Sequence, residues 1–221
     1  MGDSPPPFSW LGAWLQRKRG DRLAILNVPH APKPSPPLVL NSAPIFPQEP
    51  ISSRFEASPD FRSSGNAARK IDLVVLHCTE SSAAGALAWL TAKDAMPVSA
   101  HYLISKAGDL VQMVGENNVS YHAGGTKEKP SSWRGAGKVN ERSVGIELEN
   151  RNDGLDPYPP AQLTVCLWLV LRACRRFGLT AEEVVGHADV DPGRKSDPRG
   201  FPWEPFRSSL AFHLSRPGGI A

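Results

Sequence analysis

The chain has 221 residues, 40% of them hydrophobic and 21% charged, the balance of an ordinary globular protein and not of a disordered one. Its net charge of +3 is too small to argue for nucleic acid as a partner, and no apolar run approaches the roughly 20 residues that a membrane-spanning helix needs. Three cysteines make no disulfide framework: Cys166 and Cys174 fall on one predicted helix, roughly 12 Å apart along its axis, so all three read as buried thiols.

Of the 22 prolines, 12 lie in the first 60 residues, in runs such as Pro5-Pro6-Pro7 and Pro32 to Pro37. Proline fixes φ and lacks a backbone donor, so residues 1–68 read as an extended Pro-rich arm, followed by one folded domain over 69–221. Within the arm, Trp10, Leu11, Trp14 and Leu15 have the spacing of a short one-sided helix, expected to pack on the protein's own core before any membrane or partner. The cluster Phe8–Leu15 precedes Arg17, Lys18 and Arg19, the wrong order for a secretory signal. The expectation is synthesis in the cytoplasm without such a signal.

Past residue 70 the pattern changes. Ile71–Leu76 is a nearly continuous apolar run rich in β-branched residues, predicting a strand buried on both faces. Ser81–Ala95 predicts a helix, and Ala100–Ser105 with Leu110–Val114 a hairpin joined by Lys106-Ala107-Gly108-Asp109. Ser143–Glu149 alternates like a strand. Ala161–Phe177, entered after Pro159-Pro160 and stopped by Gly178, predicts a long buried helix. Glu183–Gly186 predicts a short strand and Trp203–Leu214 a final helix. The fold class is α/β, a single mixed β-sheet packed by helices.

Two histidines end predicted strands: His77 after Val74-Val75-Leu76, and His187 after Val184-Val185-Gly186. Strand ends are where loops diverge and clefts open. The loop that follows, Ala188 to Pro198, crowds three carboxylates with Arg194 and Lys195. Hydrolytic zinc takes three protein ligands and leaves one position for water, so His77, His187 and one of Asp189, Asp191 or Asp197 make a candidate site. Spacing does not choose among the three. Glu147 and Glu149 share one face of their strand, and one of them is a candidate general base.

Together, Val74-Val75-Leu76-His77, Ser99 to Ile104, Tyr121-His122-Ala123-Gly124, Ser143 to Glu149, and Gly186-His187-Ala188-Asp189 through Asp197-Pro198 resemble the type-2 N-acetylmuramoyl-L-alanine amidases. The resemblance runs over roughly residues 70–213 in chain order. It implies a peptidoglycan-recognition-protein-like fold, Zn2+ as cofactor, and His77, His187 and Asp197 as its ligands. It further implies Glu147 as catalytic carboxylate and Lys195 as the cation facing the tetrahedral intermediate. The glutamate pattern is closer to the recycling and outer-membrane amidases than to the phage branch, which carries a tyrosine there. His122 is a candidate for lining the substrate groove, Arg194 and Lys138 for meeting stem-peptide carboxylates, and His101 reads as structural. The expected reaction is hydrolysis of the amide between N-acetylmuramic acid and L-alanine, by a phage-type lytic or wall-degrading enzyme. The alternatives are a cytosolic muropeptide-recycling amidase and a non-catalytic recognition module. The expected partner is peptidoglycan or a muropeptide, with no nucleic acid, and the arm is a candidate attachment to a larger assembly.

Overall fold

The computed structural model describes residues 51–54, 69–92 and 98–216. The Trp10/Trp14 stripe and the basic cluster after it lie outside the described residues. Strands β1 (Ile51–Arg54), β2 (Leu73–Cys78), β3 (Tyr102–Ile104), β4 (Leu110–Gln112), β5 (Ser143–Leu148) and β6 (Val184–Gly186) form one mixed sheet in the order β1-β4-β3-β5-β2-β6. The β3–β4 hairpin is antiparallel, and every other neighbouring pair is parallel. All six residues of β2 are buried, as a continuous apolar run predicts for a strand with neighbours on both sides. Strand β1, which belongs to the segment assigned to the arm, pairs with β4 through Ile51, Ser53 and Arg54 and forms the sheet's edge.

Alternation across the strands decides what each face meets. Val74, Leu76, Val144, Ile146 and Leu148 pack under α3 (Pro160–Phe177) and α5 (Trp203–Leu214). Leu73, Val75 and Val185 face the other way, toward Val139 of α2 (Val139–Arg142) and Val190 of α4 (His187–Val190). Farther along that face, Ala86 and Leu90 of α1 (Ala83–Leu90) pack with Leu103 and Met113.

Helix α3 begins with Pro160 inside its first turn, where a missing N–H costs nothing. It ends at Gly178, whose φ of 71° lets the Leu179 N–H reach back to the Cys174 carbonyl at 2.9 Å. Leu167 and Leu171 are fully buried in its apolar face, and cutting either to alanine costs about 2–5 kcal/mol. Helix α1 is shorter than its predicted span. Ser82 caps it by accepting from the Gly85 N–H, and it closes where the Thr91 hydroxyl donates to the Leu87 carbonyl at 2.7 Å. The hairpin strands are also shorter than predicted, with Ile104 opposite Leu110. Cys78, Cys166 and Cys174 are free and buried. Among the described residues no helix is long and apolar enough to cross a membrane.

Candidate active site

The site follows from strand register. In the parallel β2–β5 pair His77 lies opposite Glu147, and in β2–β6 Leu76 lies opposite Gly186. Since Val74 and Leu76 face α3, His77 shares the other face with Glu147. His187 follows Gly186 as the first residue of α4, one step past the β6 pairing and level with His77. The loop after α4 then folds back: the Lys195 N–H donates to the Asp191 carbonyl at 3.1 Å, and the Ala188 N–H to the Asp197 carbonyl at 2.9 Å. That return brings the Asp197 carboxylate against both histidines.

Three donor atoms converge. His77 Nδ1 lies 3.0 Å from His187 Nδ1, and Asp197 Oδ2 lies 3.4 Å from the first and 3.2 Å from the second. All three residues are buried. Tetrahedral bonds of roughly 2.0–2.1 Å separate donor atoms by roughly 3.3–3.4 Å, so this triangle fits a zinc-sized ion with little adjustment. Electrostatics at His77 and Asp197 agree with a ligand set that includes a neutral imidazole and an anion. Burial, then the neighbouring His187, holds His77 down to about 4. Burial pushes the Asp197 carboxyl up, but the close approach of the His187 and His77 imidazoles outweighs it and holds the group below its ordinary range. The other two loop carboxylates are occupied elsewhere. Asp189 Oδ2 accepts from the Gly186 N–H at 2.8 Å, and Asp191 Oδ2 is bound by the Arg194 guanidinium.

Glu147 stands beside this cluster. Burial, then the negative charge of Asp197, raises its carboxyl to about 8, against the opposing pull of Lys195. Its Oε2 is buried and has no hydrogen-bond partner in the protein. The Lys195 ammonium, half-buried, acts on Glu147 and His77 alike. A carboxyl near neutrality next to a cation is suited to taking up and returning a proton. Glu149 is placed differently, with its Oε2 accepting from the Lys106 N–H at 2.8 Å, where it braces the hairpin turn.

The remaining expected residues are not drawn into the cluster in the same way. His122 lies behind His77, with Nδ1 2.9 Å from His77 Nε2 and Nε2 3.0 Å from the Ser143 hydroxyl, so both ring nitrogens are engaged inside the protein. His101 is fully buried; its Nδ1 accepts from the Gly145 N–H at 3.0 Å, the structural role expected of it. Arg194 binds buried Asp191. Lys138 is exposed at the start of α2, 3.5 Å from Glu141, at the far end of β5 from Glu147. Asn152 went unnoticed in the sequence. Its Nδ2 donates to Glu80 at 3.1 Å and Ser196 at 3.2 Å, and its Oδ1 accepts from the Arg199 N–H at 2.8 Å, tying three loops together at the site. Its left-handed φ of 58°, within Asn152-Asp153-Gly154, is a turn signal that sequence inspection can find.

Comparison with known proteins points the same way. The model of the family described as N-acetylmuramoyl-L-alanine amidase matches residues 67–200. N-acetylmuramoyl-L-alanine amidase AmiD of Escherichia coli K12 is 37% identical over 161 residues, which cover 66% of this chain and 55% of AmiD. The 1,6-anhydro-N-acetylmuramyl-L-alanine amidase AmpD of Haemophilus influenzae is 37% identical over 117 residues, covering 52% of this chain and 60% of AmpD. The solved complex of E. coli AmiD with the substrate anhydro-N-acetylmuramic acid-L-Ala-D-gamma-Glu-L-Lys superposes with a TM-score of 0.56 at 35% identity, covering 68% of this chain and 60% of that one. The chain thus spans little more than half the length of these relatives.

Proposed function

Because the chain belongs to the N-acetylmuramoyl-L-alanine amidase family, we propose that it is a zinc-dependent hydrolase of the amide between N-acetylmuramic acid and the L-alanine of the stem peptide. The observation that carries this reading is the convergence of His77 Nδ1, His187 Nδ1 and Asp197 Oδ2 beside the raised carboxyl of Glu147. These three side chains would hold the metal. Zinc, when bound, polarises the scissile carbonyl and lowers the pKa of water toward neutrality.

The chain's own residues do the rest. Glu147 takes the proton of the attacking water and hands it to the departing alanine nitrogen, so that one carboxyl serves as base and then acid. Its position directly across from His77 in the β2–β5 register keeps that transfer local. Lys195 faces the negative charge that develops on the carbonyl oxygen, a charge absent from the ground state and therefore selectively stabilised. Both groups sit on elements pinned by main-chain hydrogen bonds, Glu147 in a six-residue strand and Lys195 through the Asp191 carbonyl.

The wall-degrading role and the recycling role use the same chemistry on different substrates. The recycling role is favoured by AmpD, named for the 1,6-anhydro sugar, and by the AmiD complex with an anhydro-muropeptide. The Pro-rich segment 1–68, proposed as an arm preceding the domain, favours attachment to a larger assembly and hence action on intact wall. Digestion of purified sacculi and of a soluble anhydro-muropeptide, with free amines and reducing ends measured in parallel, tests both points. The amidase reading expects new N-terminal alanine without reducing ends. New reducing ends alone would indicate glycan cleavage, and neither product would indicate a recognition module. Cleavage of the soluble substrate alone assigns the recycling role.

A further inference from the structure

Behind His77 runs a chain of hydrogen bonds whose direction is set by its last member. The main-chain carbonyl of Val139 can only accept, so the Ser143 hydroxyl, 2.5 Å away, spends its single proton there. With that proton committed, the Ser143 oxygen accepts from His122 Nε2 at 3.0 Å, and His122 carries its proton on Nε2. The two ring nitrogens of His122 face a hydroxyl and an imidazole, with no carboxylate to stabilise a second proton. A neutral ring protonated on Nε2 has a bare lone pair on Nδ1, so His77 Nε2, 2.9 Å away, must donate to it. His77 Nδ1 is then left without a proton. This is the nitrogen that meets His187 and Asp197.

We propose that Ser143 and His122 are positioning residues that fix His77 in its Nε2–H tautomer and so present an unprotonated Nδ1 to the metal. This rests on the metal reading given above. The relay is held at both ends. The Asn140 side-chain oxygen accepts from the backbone N–H groups of His122 and Ala123 at 3.1 and 2.7 Å, which fixes the loop that carries the ring. Ser143 is fully buried at the first position of β5. His187 has no equivalent, since its Nε2 is buried without a hydrogen-bond partner. Tautomer control is therefore concentrated on His77. A ligand that keeps its proton on the coordinating nitrogen must lose it before it binds, and removing such outer partners typically lowers metal affinity by about 10–100-fold.

Nitrogen-15 NMR of the histidine-labelled full chain, metal-free and zinc-loaded, tests this directly, because the two ring nitrogens shift differently with protonation. The expected spectrum shows His77 and His122 both protonated on Nε2 in both states. His122 protonated on Nδ1 would overturn the relay, whatever any variant does. Ser143→Ala should redistribute the His122 proton between its nitrogens and weaken zinc binding about 10–100-fold in a chelator competition, and Ser143→Thr should restore both. An Ala variant with unchanged tautomers and unchanged affinity would also overturn it. Failure to bind zinc with both rings protonated on Nε2 counts against the metal reading alone. Zinc binding with His122 protonated on Nδ1 counts against the relay alone.

Discussion

Gly145 and His122 touch so closely that no side chain fits between them: a Cβ built on Gly145 would meet His122 Cγ at 2.4 Å. The bare backbone lets the imidazole lie across β5, reaching His77 on one side and Ser143 on the other. Gly145→Ala should therefore push the ring off this position. The expected result is an overpacking cost of about 1–3 kcal/mol together with weaker metal binding. Thermal denaturation and a chelator competition check the two halves, and an alanine variant unchanged in both would contradict this account of the contact.

Metal stoichiometry is the second expectation. The full chain should bind about one zinc. His187→Ala and Asp197→Asn should each lose the metal and turnover together, with some loss of stability because each ligand also ties a loop to the sheet. Asp189→Asn provides the contrast. Its carboxylate is committed to the Gly186 N–H, and an amide oxygen can still accept there, so this variant should keep its zinc with little change in stability. Metal analysis of the purified variants separates the cases. Zinc retained by His187→Ala but lost from Asp189→Asn would reassign the ligands.

Much of this site was legible in the sequence, for reasons that are local. The apolar run of β2, the proline entry and glycine stop of α3, and the bounds of α5 depend on neighbouring residues, and the structure places them where they were expected. Two histidines at the ends of two apolar strands announced a cleft. What local pattern does not contain is pairing between distant segments. Spacing left Asp189, Asp191 and Asp197 equivalent, and only the return of the loop onto Ala188 separates them. His122 reads as a polar loop residue until Gly145, on another element, is known to lie beneath it. Strand β1 was hidden because proline-rich composition argues against strands, yet an edge position tolerates such surroundings.

That edge strand yields a prediction about the arm. Removing residues 1–50 leaves β1 in place, and no proposed catalytic group lies in the deleted segment, so hydrolysis of a soluble muropeptide should be unchanged. Removing residues 1–68 also strips β1 from β4 and exposes the backbone of Leu110–Gln112 as a free sheet edge. Exposed edges recruit other strands, so the longer deletion should be less stable and more prone to self-association at equal concentration. Light scattering and denaturant titration of the two truncations compare them. Equal behaviour would mean that β1 adds nothing to the fold.

The assignment of the base is the sharpest expectation, because two glutamates on one strand have different surroundings. Glu147 has a buried oxygen with no protein partner, whereas Glu149 accepts from the Lys106 N–H. Glu147→Gln keeps the shape and removes the proton acceptor, so zinc should stay while the rate falls by about 10²–10⁴. Glu149→Gln should loosen the hairpin turn and leave the rate nearly intact. A second readout needs no substrate. Burial, then Asp197, raises the Glu147 carboxyl from 4.5 to about 8, so the metal-free folded chain keeps a proton that the unfolded chain releases. The Glu147 contribution to the unfolding free energy should then decline as pH rises from about 4.5 to about 8 and level off above that range, and the difference between the wild-type and Glu147→Gln curves isolates it from the opposite trend of the buried histidines. Denaturant titrations of the metal-free full chain and its variant across this range measure it. If Glu149→Gln were the crippling change, or if Glu147→Gln left both the rate and the pH dependence untouched, the base would have to be sought elsewhere in the site.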